Sequence, residues 1–213
     1  SWRILLNAED SKIGLPEVKL GILPGFGGTQ LLPRLIGIEK ALDIILQGKV
    51  IDPARAKRVG LVDELFDAGT DDKGARFNLL EKFALERAEE FVRLGRARSH
   101  RKLPFKDSFL THTQIGRALV QSISKKAGGR ETKGNYPAPL LALSSAIQGL
   151  QLPLEVGLAE EARKLGALIA SKESKALVHL YFLTEASNRL GKTLQDEVRS
   201  AHIGIVGGGV MGA

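Results

Sequence analysis

The sequence predicts an α/β chain in which helices dominate and strands are few and short. Three observations predict it. Residues 2–6 and 61–66 are apolar runs of strand length. Residues 75–94 carry an apolar stripe at helical spacing, and three more helical segments occupy 139–150, 155–170 and 173–190. Residues 201–206 form a last apolar run that leads into Gly207-Gly-Gly-Val-Met-Gly212, a match to G-x-G-x-x-G.

Taken in order, the run at 2–6 is a buried strand, and Asn7-Ala-Glu-Asp-Ser11 breaks it with turn-forming residues. Residues 12–15 make a second short strand. Gly27-Gly28-Thr29 starts a helix through Leu31, Leu32 and Leu35, with Pro33 in its first turns and Gly37 as its stop. Residues 39–47 are apolar at 41, 42, 44, 45 and 46, a largely buried helix closed by Gly48. Asp52-Pro53 is an N-cap followed by proline at the first helical position, and Gly60 ends that helix. Residues 67–74 are a polar turn before the helix at 75–94, which Gly95 ends. Residues 96–108 are a basic loop containing Pro104. A helix at 111–125 follows, with Ile115, Leu119, Val120 and Ile123, and residues 128–135 are a polar, glycine-containing loop. Ser171-Lys-Glu-Ser174 separates the last two helices. Residues 191–200 are a charged linker without apolar periodicity, a natural boundary before the final strand.

The stretch at 13–30 concentrates the chemistry. It holds one carboxylate, Glu17, among apolar residues, with glycines at 14, 21, 25, 27 and 28 and prolines at 16 and 24. Such a density of glycine and proline dictates backbone geometry rather than filling a core. A carboxyl in apolar surroundings is desolvated, which raises its pKa and suits it to proton transfer near neutral pH. Local chemistry leaves two readings open: a shaped pocket with Glu17 as acid/base, or a tight surface connection with a solvated glutamate.

Composition narrows the function classes. The 213 residues are 43% hydrophobic and 26% charged, an ordinary globular balance, and no apolar run is long enough to cross a bilayer. The absence of cysteine excludes disulfides, thiolate metal sites and a cysteine nucleophile, and fits a reducing compartment such as the cytoplasm. The net charge of +7 invites a nucleic-acid partner. Most basic residues alternate with acids, however, and aromatic residues for base stacking are scarce. The one basic block, Arg96-Ala-Arg-Ser-His-Arg-Lys102, is a solvated loop or an anchor for an anionic substrate. His100, His112, His179 and His202 show no metal-ligand spacing. Glu9 and Asp10 could form a paired-carboxylate site with Glu17, although they sit in a polar turn. The start at Ser1-Trp-Arg lacks both an initiator Met and a signal-peptide pattern, and reads as the middle of a longer chain.

In the terminal motif, Gly207 would make a tight turn, Gly209 would admit a pyrophosphate to the backbone, and Gly212 would let helix pack on strand. The helix whose N-terminus would face the phosphates does not follow within the sequence. A nucleotide-binding turn and a glycine-rich tail both remain open on these residues alone.

Gly14-Leu-Pro-Glu-Val-Lys-Leu-Gly-Ile-Leu-Pro-Gly-Phe-Gly-Gly-Thr-Gln30, with Leu32-Pro-Arg-Leu-Ile-Gly37, resembles the second half of the enoyl-CoA hydratase (crotonase) core. Gly48-Lys49 and Ala54-x-Ala56-x-x-x-Gly60-Leu-Val-Asp63 resemble that family's next signature. Thr132-Lys-Gly-Asn-Tyr-Pro-Ala-Pro139, Leu165-Gly166 and Ser171-Lys-Glu-Ser-Lys-Ala-Leu177 resemble the linker in the large (α) subunits of fatty-acid β-oxidation multienzyme complexes. Residues 204–213 then resemble the start of their 3-hydroxyacyl-CoA dehydrogenase domain.

The resemblance implies an α/β fold in three parts. Residues 1–110 are the second half of a crotonase domain, 111–200 a helical linker, and 201–213 the first strand of an NAD-binding Rossmann domain. It implies that Glu17 is one of two catalytic glutamates in syn hydration of a trans-2-enoyl-CoA, and that the Gly25 N–H helps position the water. The other glutamate and both oxyanion-hole donors would lie before Ser1, and the dehydrogenase catalytic residues beyond Ala213. Gly207, Gly209 and Gly212 would bind NAD. Acyl-CoA is the implied substrate and a thiolase β subunit the implied partner in an oligomer, with no role for nucleic acid or membrane. The piece alone would be inactive, with apolar helix faces left exposed and prone to association. A non-catalytic crotonase-like scaffold is the rival class. Related ligases, isomerases or dehalogenases fit the dehydrogenase-like end less well. A free NAD-binding module is a further alternative.

Overall fold

The computed structural model describes residues 2–95, 102–132 and 135–197. The strand expected at 201–206, Gly207, Gly209 and Gly212, most of the basic block, His100 and His202 lie outside the described residues.

The strands are short and pair over long separations. β1 (Ile4–Leu6) lies parallel to β4 (Glu64–Phe66), with Ile4 opposite Glu64 and Leu6 opposite Phe66. Arg3 clamps this pair from its end: its Nε and Nη2 donate to the Asp63 carboxylate at 2.9 and 3.0 Å. β2 (Ile13–Gly14) runs antiparallel to β3 (Val50–Ile51). β2 falls within the expected second strand. β3, a two-residue strand, carries no period of its own to read.

A 3₁₀ turn at Glu17–Leu20 follows β2 and is stopped by Gly21 in the left-handed region at φ 72°. α1 (Gly28–Ile36) starts after Gly27 at φ 85°, and α2 (Ile38–Leu46) begins as soon as Gly37 has turned the chain. α3 (Pro53–Val59) has the expected cap, with Asp52 accepting from the Arg55 N–H at 2.8 Å. α4 (Lys73–Arg93) starts on Asp72, which accepts from the Ala75 N–H at 2.6 Å. Its apolar stripe is only partly covered. Phe83 stacks on Phe66 and Phe91 meets Trp2, at centroid distances of 4.7 and 5.1 Å, whereas Phe77, Leu85 and Val92 are exposed.

Three expectations are corrected in the helical half. The helix expected at 111–125 is two helices, α5 (Phe105–His112) and α6 (Gln114–Thr132). Thr113 takes an extended conformation between them. Its hydroxyl oxygen accepts from the Gly116 N–H at 3.0 Å while its O–H donates to the Phe109 carbonyl at 2.8 Å. Such a side-chain bond offers the backbone an alternative to the helical ladder. The polar loop expected from 128 is helical through Thr132, because each residue added to an existing helix gains one backbone bond. The linker expected from 191 is helical as far as Glu197, the end of α9 (Lys172–Glu197). Lys192, Leu194, Gln195 and Glu197 are strong helix formers, which outweighs the missing apolar period.

The core lies where α7 (Ala138–Gly149) packs on α1 and α2. It is built from Leu32, Ile36, Ile38, Leu42, Ile45 and Leu143, each at most 7% exposed. α8 (Leu154–Ile169) lies on α1 and α7, and α9 meets the 3₁₀ turn. α5 and α8 each reach back to a helix start. Thr111 accepts from the Ile38 N–H at 3.0 Å, at the head of α2, and Glu161 of α8 does the same service for α1.

Candidate active site

The site is built from the 3₁₀ turn and the glycine loop at 25–28. Glu17 opens the turn, and Leu23 and Pro24, both fully buried, anchor the chain before the loop. Phe26 has φ 53° and is fully exposed, a conformation non-glycine residues adopt rarely. Gly27 follows in the left-handed region, and α1 begins. The turn, the loop and the apolar residues Leu15, Leu31, Leu35 and Leu61 enclose an open groove of about 420 Å³.

Glu17 is half-buried in this groove, and its Oε2 is buried with no hydrogen-bond partner among the described residues. Burial pushes its carboxyl above the usual carboxylate range. Its own backbone N–H opposes that shift, and the charge of Glu161 adds to it. Glu17 is thus a half-buried, desolvated carboxyl rather than a fully solvated one. Gly25 lines the same groove. Among the described residues its N–H makes no hydrogen bond, and a Cβ there would come within 2.7 Å of Leu165 Cδ2. A carboxyl with raised proton affinity, facing an apolar groove beside a backbone donor, can exchange a proton with a small polar reactant and hold its oxygen.

Behind the loop sits a polar cluster that the sequence did not reveal. Glu161 is 2% exposed, and its carboxylate accepts from the Gly27 N–H at 2.7 Å, the Thr29 N–H at 2.8 Å and the Thr29 O–H at 2.5 Å. The Thr29 and Ser145 hydroxyls are 2.9 Å apart. Gln30, 1% exposed, donates to Thr29 Oγ1 at 3.0 Å and to the Ser145 carbonyl at 3.1 Å. Three helices, α1, α7 and α8, thus share one buried set of hydrogen bonds. Gln30 fits because Gly149 and Gly157 face it: a Cβ on either would fall 1.8 or 2.4 Å from Gln30 Oε1. The one signal for Glu161 was its phase, since it lies on the α8 face that carries Gly157, Leu158, Leu165 and Leu168.

The other candidates lie elsewhere. Asp10 accepts from Arg76 at 3.0 and 3.3 Å and lines a separate hollow with Glu9, Asp67 and Asp71, so it does not pair with Glu17. His112 and His179 are exposed. No cluster of metal-ligating side chains occurs among the described residues. Among the same residues no helix is long and apolar enough to cross a membrane.

With this geometry in view, similarity to known proteins is informative. Residues 4–103 match the family model described as enoyl-CoA hydratase/isomerase. The chain is 35% identical over 212 residues to a Vibrio vulnificus protein named fatty acid oxidation complex subunit alpha, and 38% identical over 213 residues to its Vibrio cholerae namesake. In both cases it is covered in full and spans 28% of the relative's length. A solved enoyl-CoA hydratase from Bacillus anthracis is 26% identical, over 87% of this chain and 52% of that one, at a TM-score of 0.37.

Proposed function

We propose that this chain, whose residues 4–103 match the enoyl-CoA hydratase/isomerase family model, forms part of the hydratase site of a larger protein of fatty-acid β-oxidation. Glu17 carries this reading. Its buried, unpartnered Oε2 and raised proton affinity stand in an apolar groove, within the matched region, across from the Gly25 loop. Adding water across a trans-2-enoyl-CoA requires a group that takes a proton from the water and a proton for the α-carbon. Glu17 is one carboxylate of that pair. The Gly25 N–H holds the water, and the second carboxylate and the donors that polarise the thioester carbonyl come from chain preceding Ser1.

The larger reading rests on the relatives' name and on motif order. Residues 1–110 complete the hydratase unit, 111–200 are the helical connection, and 201–213 begin an NAD-binding unit. There Gly207, Gly209 and Gly212 would hold the pyrophosphate of NAD, which would supply hydride-acceptor chemistry for a 3-hydroxyacyl-CoA. A thiolase β subunit, an oligomeric assembly and a cytoplasmic setting belong to the same proposal.

The test uses the full-length protein. Glu17→Gln should lower kcat for crotonyl-CoA hydration by about 10²–10⁴-fold with little change in KM, the range for loss of a general acid or base. NAD-dependent oxidation of a 3-hydroxyacyl-CoA should persist. Hydration within tenfold of wild type would refute the assignment. The 213-residue piece alone should hydrate crotonyl-CoA no faster than background.

A further inference from the structure

Glu161 lies on α8, outside the matched residues 4–103, and is 2% exposed. It accepts three hydrogen bonds, all from the first residues of α1 and the loop before it. These N–H groups form the positive end of the α1 dipole. Left open, that end would stabilise the ionised form of any carboxyl nearby.

Resting on the hydratase reading above, we infer that Glu161 is a positioning residue of the Glu17 site. Its carboxylate fastens the loop at 25–29 to α8, and it occupies the end of α1 that would otherwise present positive potential to Glu17. Two observations support it independently. Gly27, one of the two backbone donors Glu161 holds, lines the groove together with Glu17 and Gly25, and Thr29, the other, is fully buried two residues on. Among the described residues Glu161 is also the charged neighbour that perturbs Glu17, acting in the direction that retains the proton.

The other charges around the turn are neutralised locally or set apart. α7 brings no charged side chain. On α2, Asp43 is paired with Lys49 and Arg55, Lys40 with Asp107, and Glu39 with Lys106. On α8, Glu160 binds Arg163, Lys164 donates to Gln148, and Glu155 is exposed. α9 meets the turn through Ser174 and Leu177, while Lys172, Glu173, Lys175 and His179 are exposed. Lys19, in the turn itself, packs its side chain along Gly48.

The test compares Glu161→Gln and Glu161→Asp in the full-length protein. The Gln variant removes the charge at nearly constant shape, and the Asp variant keeps the charge but shortens the reach. Two readouts are taken. One is the pH profile of crotonyl-CoA hydration. The other is the pH dependence of carbodiimide labelling of Glu17, followed by peptide mass spectrometry, which needs no activity. In Glu161→Gln, the labelling midpoint of Glu17 and the acid limb of kcat should both move down by roughly half a pH unit or more. In Glu161→Asp the midpoint should stay put, while kcat falls at least threefold with KM nearly unchanged. An unmoved midpoint in Glu161→Gln, or an unaltered kcat in Glu161→Asp, overturns the inference. If Glu161→Gln does not fold, the Asp variant decides alone by its kcat. If the wild-type protein does not hydrate enoyl-CoA at all, the hydratase reading fails, and the labelling midpoint still decides the role of Glu161.

Discussion

Replacing Gly149 by alanine tests the joint between α1, α7 and α8 at its tightest point. A Cβ there would lie 1.8 Å from Gln30 Oε1 and 2.5 Å from Gln30 Cδ, inside any permitted contact. Gln30 cannot swing outward, since it is 1% exposed and is bonded to Thr29 and Ser145. Arg34, which donates to the Gly149 carbonyl at 2.6 Å and to the Gln30 carbonyl at 2.8 Å, pins both sides. Alanine gains about 1 kcal/mol of helix propensity over glycine. Against this stand about 1–3 kcal/mol for overpacking and about 1–3 kcal/mol for buried polar groups pulled from their partners. The net loss is about 3 kcal/mol, a fall in melting temperature of roughly 6–12 °C for a chain of this size. Gly166→Ala is the control, because nothing lies within 4 Å of the added Cβ in the same pair of helices. Thermal unfolding followed by circular dichroism should show Gly166→Ala level with or above wild type. A Gly149→Ala variant melting within 2 °C of wild type would refute the packing described for Gln30.

Two further outcomes follow from the site and its supports. Burial raises the proton affinity of Glu17 in the folded state, so folding is favoured when this carboxyl is protonated, and that benefit is lost as pH rises through its folded pKa. Glu17→Gln should therefore melt above wild type at pH 8, and the gap should narrow as pH falls. Thr111→Val removes the oxygen that receives the Ile38 N–H at the head of α2, within a site with no water access. It should cost about 1–2 kcal/mol, read as a lower urea midpoint at unchanged slope.

Features with a local cause were legible. Asp52 precedes its helix and caps it, and Gly37 and Gly60 stop theirs with positive φ. The desolvation of Glu17 was readable from its apolar neighbours. What escaped depends on distant partners. The parallel pairing of β1 with β4 joins residues some sixty positions apart and leaves no local trace. Thr113 breaks α5 from α6 by a side-chain bond that residue type alone does not announce. Glu161 sits beside Glu160, Arg163 and Lys164, a charged neighbourhood that conceals a buried carboxylate. Only the α8 phase shared with Leu158, Leu165 and Leu168 marked it as buried. The polar character of 191–197 concealed a helix for the opposite reason, since no apolar face is needed for strong helix formers to continue α9.

The tie between Glu161 and the loop at 27–29 spans up to 134 positions of sequence. A ribosome releases the loop long before it releases α8, at about 5–20 residues per second. During that interval the donors of Gly27 and Thr29 have only water to bind, and closing so long a loop is slow and entropically costly. The tie that holds the groove around Glu17 cannot form until α8 has been made. Chaperones and proteases meet the groove first as an unfinished surface, and a truncation before residue 161 would leave it in that condition.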